Sequence, residues 1–317
     1  KPVNHEPKIA TGATMKDAKV KTIKRLLKEK QGILLAHNYQ PGEIQEVADL
    51  TGDSLELSLK AARTNAKLIV FCGVLFMAET ASIVSPDKTV LLPRMDAGCP
   101  MADMVTRESL QSRLSQLGSI PVVTYVNSSA SVKAASTICC TSANVAAVAN
   151  SLEEEEILMV PDRNLAQYAA TKTKKKIHYW DGYCPIHDRL TERQVHLAKN
   201  AHPKALFMAH PECRPEVLAL ADAVLSTSGM LRFARDSDRQ AFIVGTEEGL
   251  IYPLQQENPH KQFYRVSDNM VCKDMKKISL NDIVEALEGG RHEIKVPEDI
   301  RRPAAIAVNR MLEITNS

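Results

Sequence analysis

The chain has 317 residues, 44% of them hydrophobic and 25% charged, which is enough to bury a substantial core. Its 40 Lys and Arg nearly balance 38 Asp and Glu, and aromatic residues make up only 4%. That composition excludes a strong basic field for nucleic acid or anionic membrane, and it excludes a base-stacking platform.

Taken in chain order, the N-terminal stretch Lys1–Ala10 is polar and lacks the apolar centre of a signal peptide. A first helix is predicted over Met15–Lys30, with Val20, Ile23, Leu26 and Leu27 on one face and Gly32 just past its end. Strands are predicted at Ile33–Ala36, Lys67–Cys72, Thr89–Leu92, Pro121–Val126, Ile157–Val160, Lys176–Trp180, Ala205–Ala209, Ala241–Val244 and Gln262–Val266. A further short strand holds Cys139 and Cys140. Helical stretches separate most of these runs, the pattern of βα units and a parallel sheet. The longest apolar run, Leu68–Ala78, is broken by Gly73 and falls short of the roughly 18 residues a membrane helix needs. It reads as a buried strand leading into a helix. The acidic run Glu153–Glu156 and the lysines at 172 and 174–176 read as solvated loops or helix ends. Together these features predict a cytoplasmic protein.

An internal repeat organises the chain. Three predicted strands end near His37, Tyr125 and His210, and a hydroxyl residue follows each by 17 positions: Ser54, Ser142 and Thr227. A cysteine follows each by 62, 59 and 62 positions: Cys99, Cys184 and Cys272. The period is 85 to 88 residues. Three α/β repeats are therefore expected over 33–118, 119–202 and 203–296, with an N-terminal extension and helix at 1–32 and a C-terminal helix at 297–317. In parallel α/β units, functional side chains occupy the loops leaving the carboxyl ends of strands. Packed about a pseudo-threefold axis, such units would bring the three sets together at a central junction, where small-molecule sites form.

Seven cysteines with no Cys-x-x-Cys pair argue against a zinc ribbon, a thioredoxin-type site or a ferredoxin. Three converging thiolates fit a four-iron cluster with one iron left open, or a zinc with an open position. All-thiolate ligation favours the cluster. Cys72, Cys139 and Cys140 read as packing residues in strands, and Cys213 has no counterpart in the other repeats. Of the histidines, His187, three residues past Cys184, is the one placed to line the junction, with a structural role the simpler reading.

The segments Leu35–Pro41, Gly52–Ser54, Phe76–Glu79, Gly98–Ala102, Tyr125–Ser128, Cys140–Asn144, Pro161–Leu165, Cys184–His187, His210–Cys213 and Gly245–Glu247 together resemble the quinolinate synthase family, over about residues 19–315. The resemblance implies three similar α/β/α sandwich domains with parallel sheets around a pseudo-threefold axis. It implies condensation of iminoaspartate with dihydroxyacetone phosphate to quinolinate, phosphate and water on the route to NAD, with one [4Fe–4S] cluster on Cys99, Cys184 and Cys272. An L-aspartate oxidase or dehydrogenase would be the functional partner, with neither nucleic acid nor membrane involved. Active-site positions carry over as His37, Tyr39, Ser54, Tyr125, Asn127, Ser142, His210, Glu212 and Thr227. The chemistry assigns Glu212 as general base and Tyr39 and His210 as proton donors or relays. His37, Tyr125 and Asn127 would orient substrate. Ser54, Ser142 and Thr227 are expected to serve as helix N-caps and anion contacts together. A three-cysteine hydro-lyase and a non-catalytic iron–sulfur sensor or binding scaffold are the competing readings.

Overall fold

Short, wholly apolar runs such as Leu68–Cys72, buried at every position, form strands covered on both faces, as parallel sheets require. The computed structural model describes residues 12–316, so the Lys1–Ala10 stretch lies outside the described residues. Among the described residues, twelve strands form three four-stranded sheets, each parallel throughout. The first contains β1 (Gly32–His37), β2 (Leu50–Gly52), β3 (Leu68–Cys72) and β4 (Thr89–Leu91). The second contains β5 (Val122–Tyr125), β6 (Ile138–Cys140), β7 (Glu156–Val160) and β8 (Lys176–Tyr179). The third contains β9 (Leu206–Ala209), β10 (Ala223–Val224), β11 (Ala241–Gly245) and β12 (Gln262–Arg265). Strand order is the same in all three: second, first, third, fourth. The chain is thus an α/β protein of three equivalent units, as the repeat predicts.

Strands β2 and β10 precede Ser54 and Thr227, where a short strand is expected before each hydroxyl, but they lie outside the strand ranges the sequence delimits. The first helix runs Gly12–Glu29, and the left-handed residue after it is Gln31 (φ 52°), not Gly32. Gly32 instead opens β1, where a Cβ would meet Leu68 Cδ2 at 2.8 Å, so close strand packing explains that glycine.

A hydrophobic core runs from Leu35 in the first sheet through Val123 in the second to Met208 in the third. The last part of the chain ties the units further. Glu293 bridges Leu91 at the edge of the first sheet, and the helix Glu298–Asn316 packs on β6 and the helix Ala130–Ala134. Among the described residues, no helix is long and apolar enough to cross a membrane.

Candidate active site

The first strand of each unit carries its polar residue at or just past its carboxyl end: His37 closes β1, Tyr125 closes β5 and His210 follows β9. Ser54, Ser142 and Thr227 follow the second strands, and Cys99, Cys184 and Cys272 follow the fourth. All nine, with Tyr39, Asn127 and Glu212, line one cavity of about 360 Å³ between the three sheets.

The hydroxyl set needs a correction: none of the three caps a helix. Asp53 caps Ser54–Arg63, Ser226 caps Thr227–Asp236, and Asn144 precedes Val145–Ser151. Ser54 and Thr227 occupy the first helical position, and Ser142 lies in the turn before its helix. At Ser54 and Thr227 the cap one residue earlier accepts from the helix amides, so these two hydroxyls are not committed to that task.

Each cavity-lining cysteine immediately precedes a short helical turn whose backbone amides point at its sulfur. Ala102 and Met101 serve Cys99, His187 serves Cys184, and Met275 and Asp274 serve Cys272. Burial nevertheless pushes the Cys99 thiol up to about 12 and raises the other two. The thiols are therefore protonated unless a metal displaces the proton. Cys99 lies close enough to Cys272 and Cys184 for their charges to oppose one another's ionisation. None of the three is in a disulfide. Three half-buried sulfurs from three units, each facing amide donors, fit an all-thiolate cluster better than a zinc site, which would recruit a fourth ligand. Cys72, Cys139, Cys140 and Cys213 are fully buried and do not line the cavity.

A hydrogen-bonded chain crosses the cavity floor and draws on all three units. Tyr125 Oη donates to Glu212 Oε1 at 2.6 Å. The other carboxylate oxygen lies 2.7 Å from His187 Nδ1, whose Nε2 faces the Thr246 hydroxyl at 2.8 Å. Thr246 Oγ1 is in turn 2.5 Å from Tyr39 Oη. Cys184, His187 and Glu212 form a compact group, with ligand atoms within 4.8 Å. Its imidazole and carboxylate are already engaged with each other and with Thr246 and Tyr125, so the three-cysteine set remains the better donor set.

Electrostatics follow from burial. His37 Nδ1 accepts the backbone N–H of Tyr39 at 3.1 Å, and His210 Nδ1 accepts that of Glu212 at 3.3 Å. An accepting Nδ1 leaves Nε2–H as the donor of a neutral ring, and burial holds both histidines down to about 3. Burial also raises Tyr39 and Tyr125 well above the usual phenol range, so both keep their protons. For Glu212, burial works upward, but His210, His187 and the hydrogen bonds from His187 and Tyr125 outweigh it. With His210 neutral, the hydrogen bonds from His187 and Tyr125 are what oppose burial at Glu212. Asn127 Oδ1 is buried without a partner among the described residues and belongs to a cavity-lining residue.

Thr246, Glu247, Lys276 and Asp162 carry no signal in the sequence that assigns them a role, and His187, for which a structural role is the simpler expectation, joins the polar chain. The carboxylate of Glu247, 1% exposed, accepts the backbone N–H groups of Gly249 at 2.7 Å and Cys272 at 3.0 Å and pairs with Lys276 at 2.9 Å. The segment Gly245–Glu247 was visible as a motif, but nothing local to it reveals these partners.

The family model described as quinolinate synthetase A protein matches residues 21–313. Quinolinate synthase of Geotalea uraniireducens is 59% identical over 292 residues, covering 92% of this chain and 96% of that protein. The enzyme of the same name from Geobacter metallireducens is 57% identical, covering 92% and 96%. That from Methanoregula boonei is 52% identical, covering 92% and 97%. By sequence over nearly its whole described length, and by the threefold site that sequence builds, this chain belongs to the quinolinate synthase family of NAD-biosynthetic enzymes.

Proposed function

We propose that this chain condenses iminoaspartate with dihydroxyacetone phosphate to give quinolinate, phosphate and water, using a [4Fe–4S] cluster held by Cys99, Cys184 and Cys272. The observation that carries this reading is the convergence of three equivalent thiols with polar side chains from all three units on one cavity. When bound, the cluster would supply a Lewis acid, an iron without a protein thiolate beside the substrate oxygens.

The chain's own residues supply the rest. Ser54 and Thr227, at the first positions of ten-residue helices, offer hydroxyl donors next to helix-start amides for substrate carboxylate and phosphate groups. Ser142 and the Nε2–H groups of neutral His37 and His210 add donors without adding charge. Asn127, with an unpartnered oxygen, accepts from a substrate N–H or O–H. Glu212 is ionised at rest, as a general base must be, and substrate anions brought alongside raise its proton affinity. Protonated Tyr125 and Tyr39 are the donors at the two ends of the chain through Glu212, His187 and Thr246, so a proton taken at Glu212 can be returned at either phenol. We assign the three repeats to domains bounded at 33–118, 119–202 and 203–296, and the reaction to the cytoplasm, fed by an enzyme that oxidises L-aspartate.

The test is direct. Protein purified without oxygen is assayed for iron and sulfide, then incubated with enzymatically generated iminoaspartate and dihydroxyacetone phosphate, and quinolinate is measured by mass. About four iron and four sulfide per chain with quinolinate formed is the expected result. Cys99→Ala, Cys184→Ala and Cys272→Ala should lose cluster and product, whereas Glu212→Gln should keep iron and lose turnover. Zinc in place of iron, or dehydration of a single hydroxy acid with no carbon–carbon bond formed, would replace this reading.

A further inference from the structure

A fourth set belongs to the repeat. Val74, Asp162 and Glu247 stand 37 residues past His37, Tyr125 and His210, each two residues beyond the end of the third strand of its sheet. The set is apolar in the first unit and acidic in the other two. All three are buried, Val74 and Asp162 at 2% exposure and Glu247 at 1%. Burying a carboxylate beside groups that must become thiolates is costly. The first unit shows that an apolar residue can fill this position, so the two acids need a reason.

Their contacts provide one. Asp162 Oδ1 accepts the N–H of Leu165 at 2.9 Å and so caps the helix Arg163–Ala170, which accounts for that acid. Glu247 Oε1 accepts the backbone N–H of Cys272 at 3.0 Å and thus holds the main chain of the cysteine borne by the next strand of its own sheet. Between β12 and the turn Asp274–Lys276, the Cys272 segment has no regular secondary structure to fix it. Glu247 is balanced by Lys276, whose Nζ also donates to the Tyr39 carbonyl at 2.5 Å. Gly249 lets the turn press against both, since a Cβ there would meet Tyr39 O at 2.6 Å and Lys276 Nζ at 2.8 Å. A main-chain tie is common to all three units: Leu75 N–H donates to Ala97 O, Arg163 N–H to Gly182 O and Glu248 N–H to Met270 O, each at 2.8 Å and each two residues before the cysteine, so the Glu247 bond to Cys272 is a second tie that the first unit lacks.

We propose that Glu247, paired with Lys276, is a positioning residue that aims the Cys272 thiolate at the cluster. The inference rests on the cluster reading above. It makes the acid selective for one of the three ligands.

The experiment uses the full chain, purified without oxygen, as wild type, Glu247→Ala and Asp162→Ala. Iron release to a chelator is timed, and the order in which cysteines react with iodoacetamide is read by mass spectrometry. Glu247→Ala should release iron about 10- to 100-fold faster than wild type. Cys272 should be modified first in Glu247→Ala and not in Asp162→Ala, which removes a helix cap but no bond to Cys272. In the metal-free chain, amide hydrogen exchange over residues 268–276 should quicken in Glu247→Ala, which tests the anchor independently of the cluster. If Glu247→Ala does not fold, Lys276→Met replaces it, with the same Cys272-first order expected. One common order of modification in both variants, or wild-type iron release despite faster amide exchange, overturns the proposal. A wild-type chain that holds no iron would show instead that the cluster reading itself has failed, before any variant is compared.

Discussion

Glu212 accepts short hydrogen bonds on both oxygens, so each donor can be removed separately. Tyr125→Phe deletes the 2.6 Å bond and leaves Oε1 buried without that donor, a cost of about 1–3 kcal/mol. Iron content should be unchanged while turnover falls by about 10²- to 10⁴-fold; near-normal turnover would take Tyr125 out of the proton path. His37 allows a cleaner reading by pH. Its folded-state value of about 3 lies below the ordinary 6.5, so above 6.5 neither folded nor unfolded chain protonates it. As pH falls below 6.5 the unfolded chain takes up the proton first, and stability is lost at about 1.4 kcal/mol per pH unit. Denaturation midpoints of metal-free protein between pH 6.5 and 4.5 should therefore fall less steeply in His37→Gln than in wild type, by about one proton. Equal slopes would show that the ring is already charged in the folded chain.

At the level of elements, the caps decide where the hydroxyl set points. Asp53 accepts the N–H groups of Leu55 and Glu56 at 3.0 Å each, and the Ser226 hydroxyl at 3.1 Å. One carboxylate therefore starts a helix of the first unit and grips the cap of a helix in the third. Asp53→Ala should cost about 1–2 kcal/mol of stability, read from a urea midpoint. Because Ser54 and Thr227 sit directly beside the two caps, KM should rise more than kcat falls. A loss in kcat with KM intact would mean that this junction serves the chemistry rather than binding. The position of the hydroxyls was legible as a spacing, but their capping role was misread, because a Ser or Thr at a helix start looks alike at the cap and one residue later. Strands were legible where an apolar run is long enough to be covered on both faces, as Leu68–Cys72 is. The strands β2 and β10, three and two residues long, carry no period of their own. They exist because β1 and β9 offer them backbone partners, Leu35 to Leu50 and Ala209 to Val224.

Across the whole molecule, the threefold set could be read because each unit repeats the same path and its strand ends meet the other units. The polar chain through His187 and Thr246 could not, because its partners come from separate units and no local pattern says which imidazole meets which carboxylate. Asp162 and Glu247 share one spacing with Val74, yet a search for matching side chains passes over a set with an apolar member. Those cross-unit contacts also bear on how the chain unfolds. The main hydrophobic cluster runs through all three sheets, with two smaller clusters beside it. Asn38 donates to Thr227 at 2.9 Å, Tyr125 reaches Glu212, and Lys276 reaches Tyr39, so no unit can open without exposing buried polar groups of another. Metal-free protein should therefore unfold in a single calorimetric transition, with calorimetric and van't Hoff enthalpies in agreement. A cluster held, as proposed, by one thiolate from each unit would bind only the assembled state. Its loading should raise the transition midpoint without splitting the peak, and a chelator should reverse that rise. Two or more resolved transitions in the metal-free chain would show instead that the units fold independently and that the cavity between them is assembled only when the metal arrives.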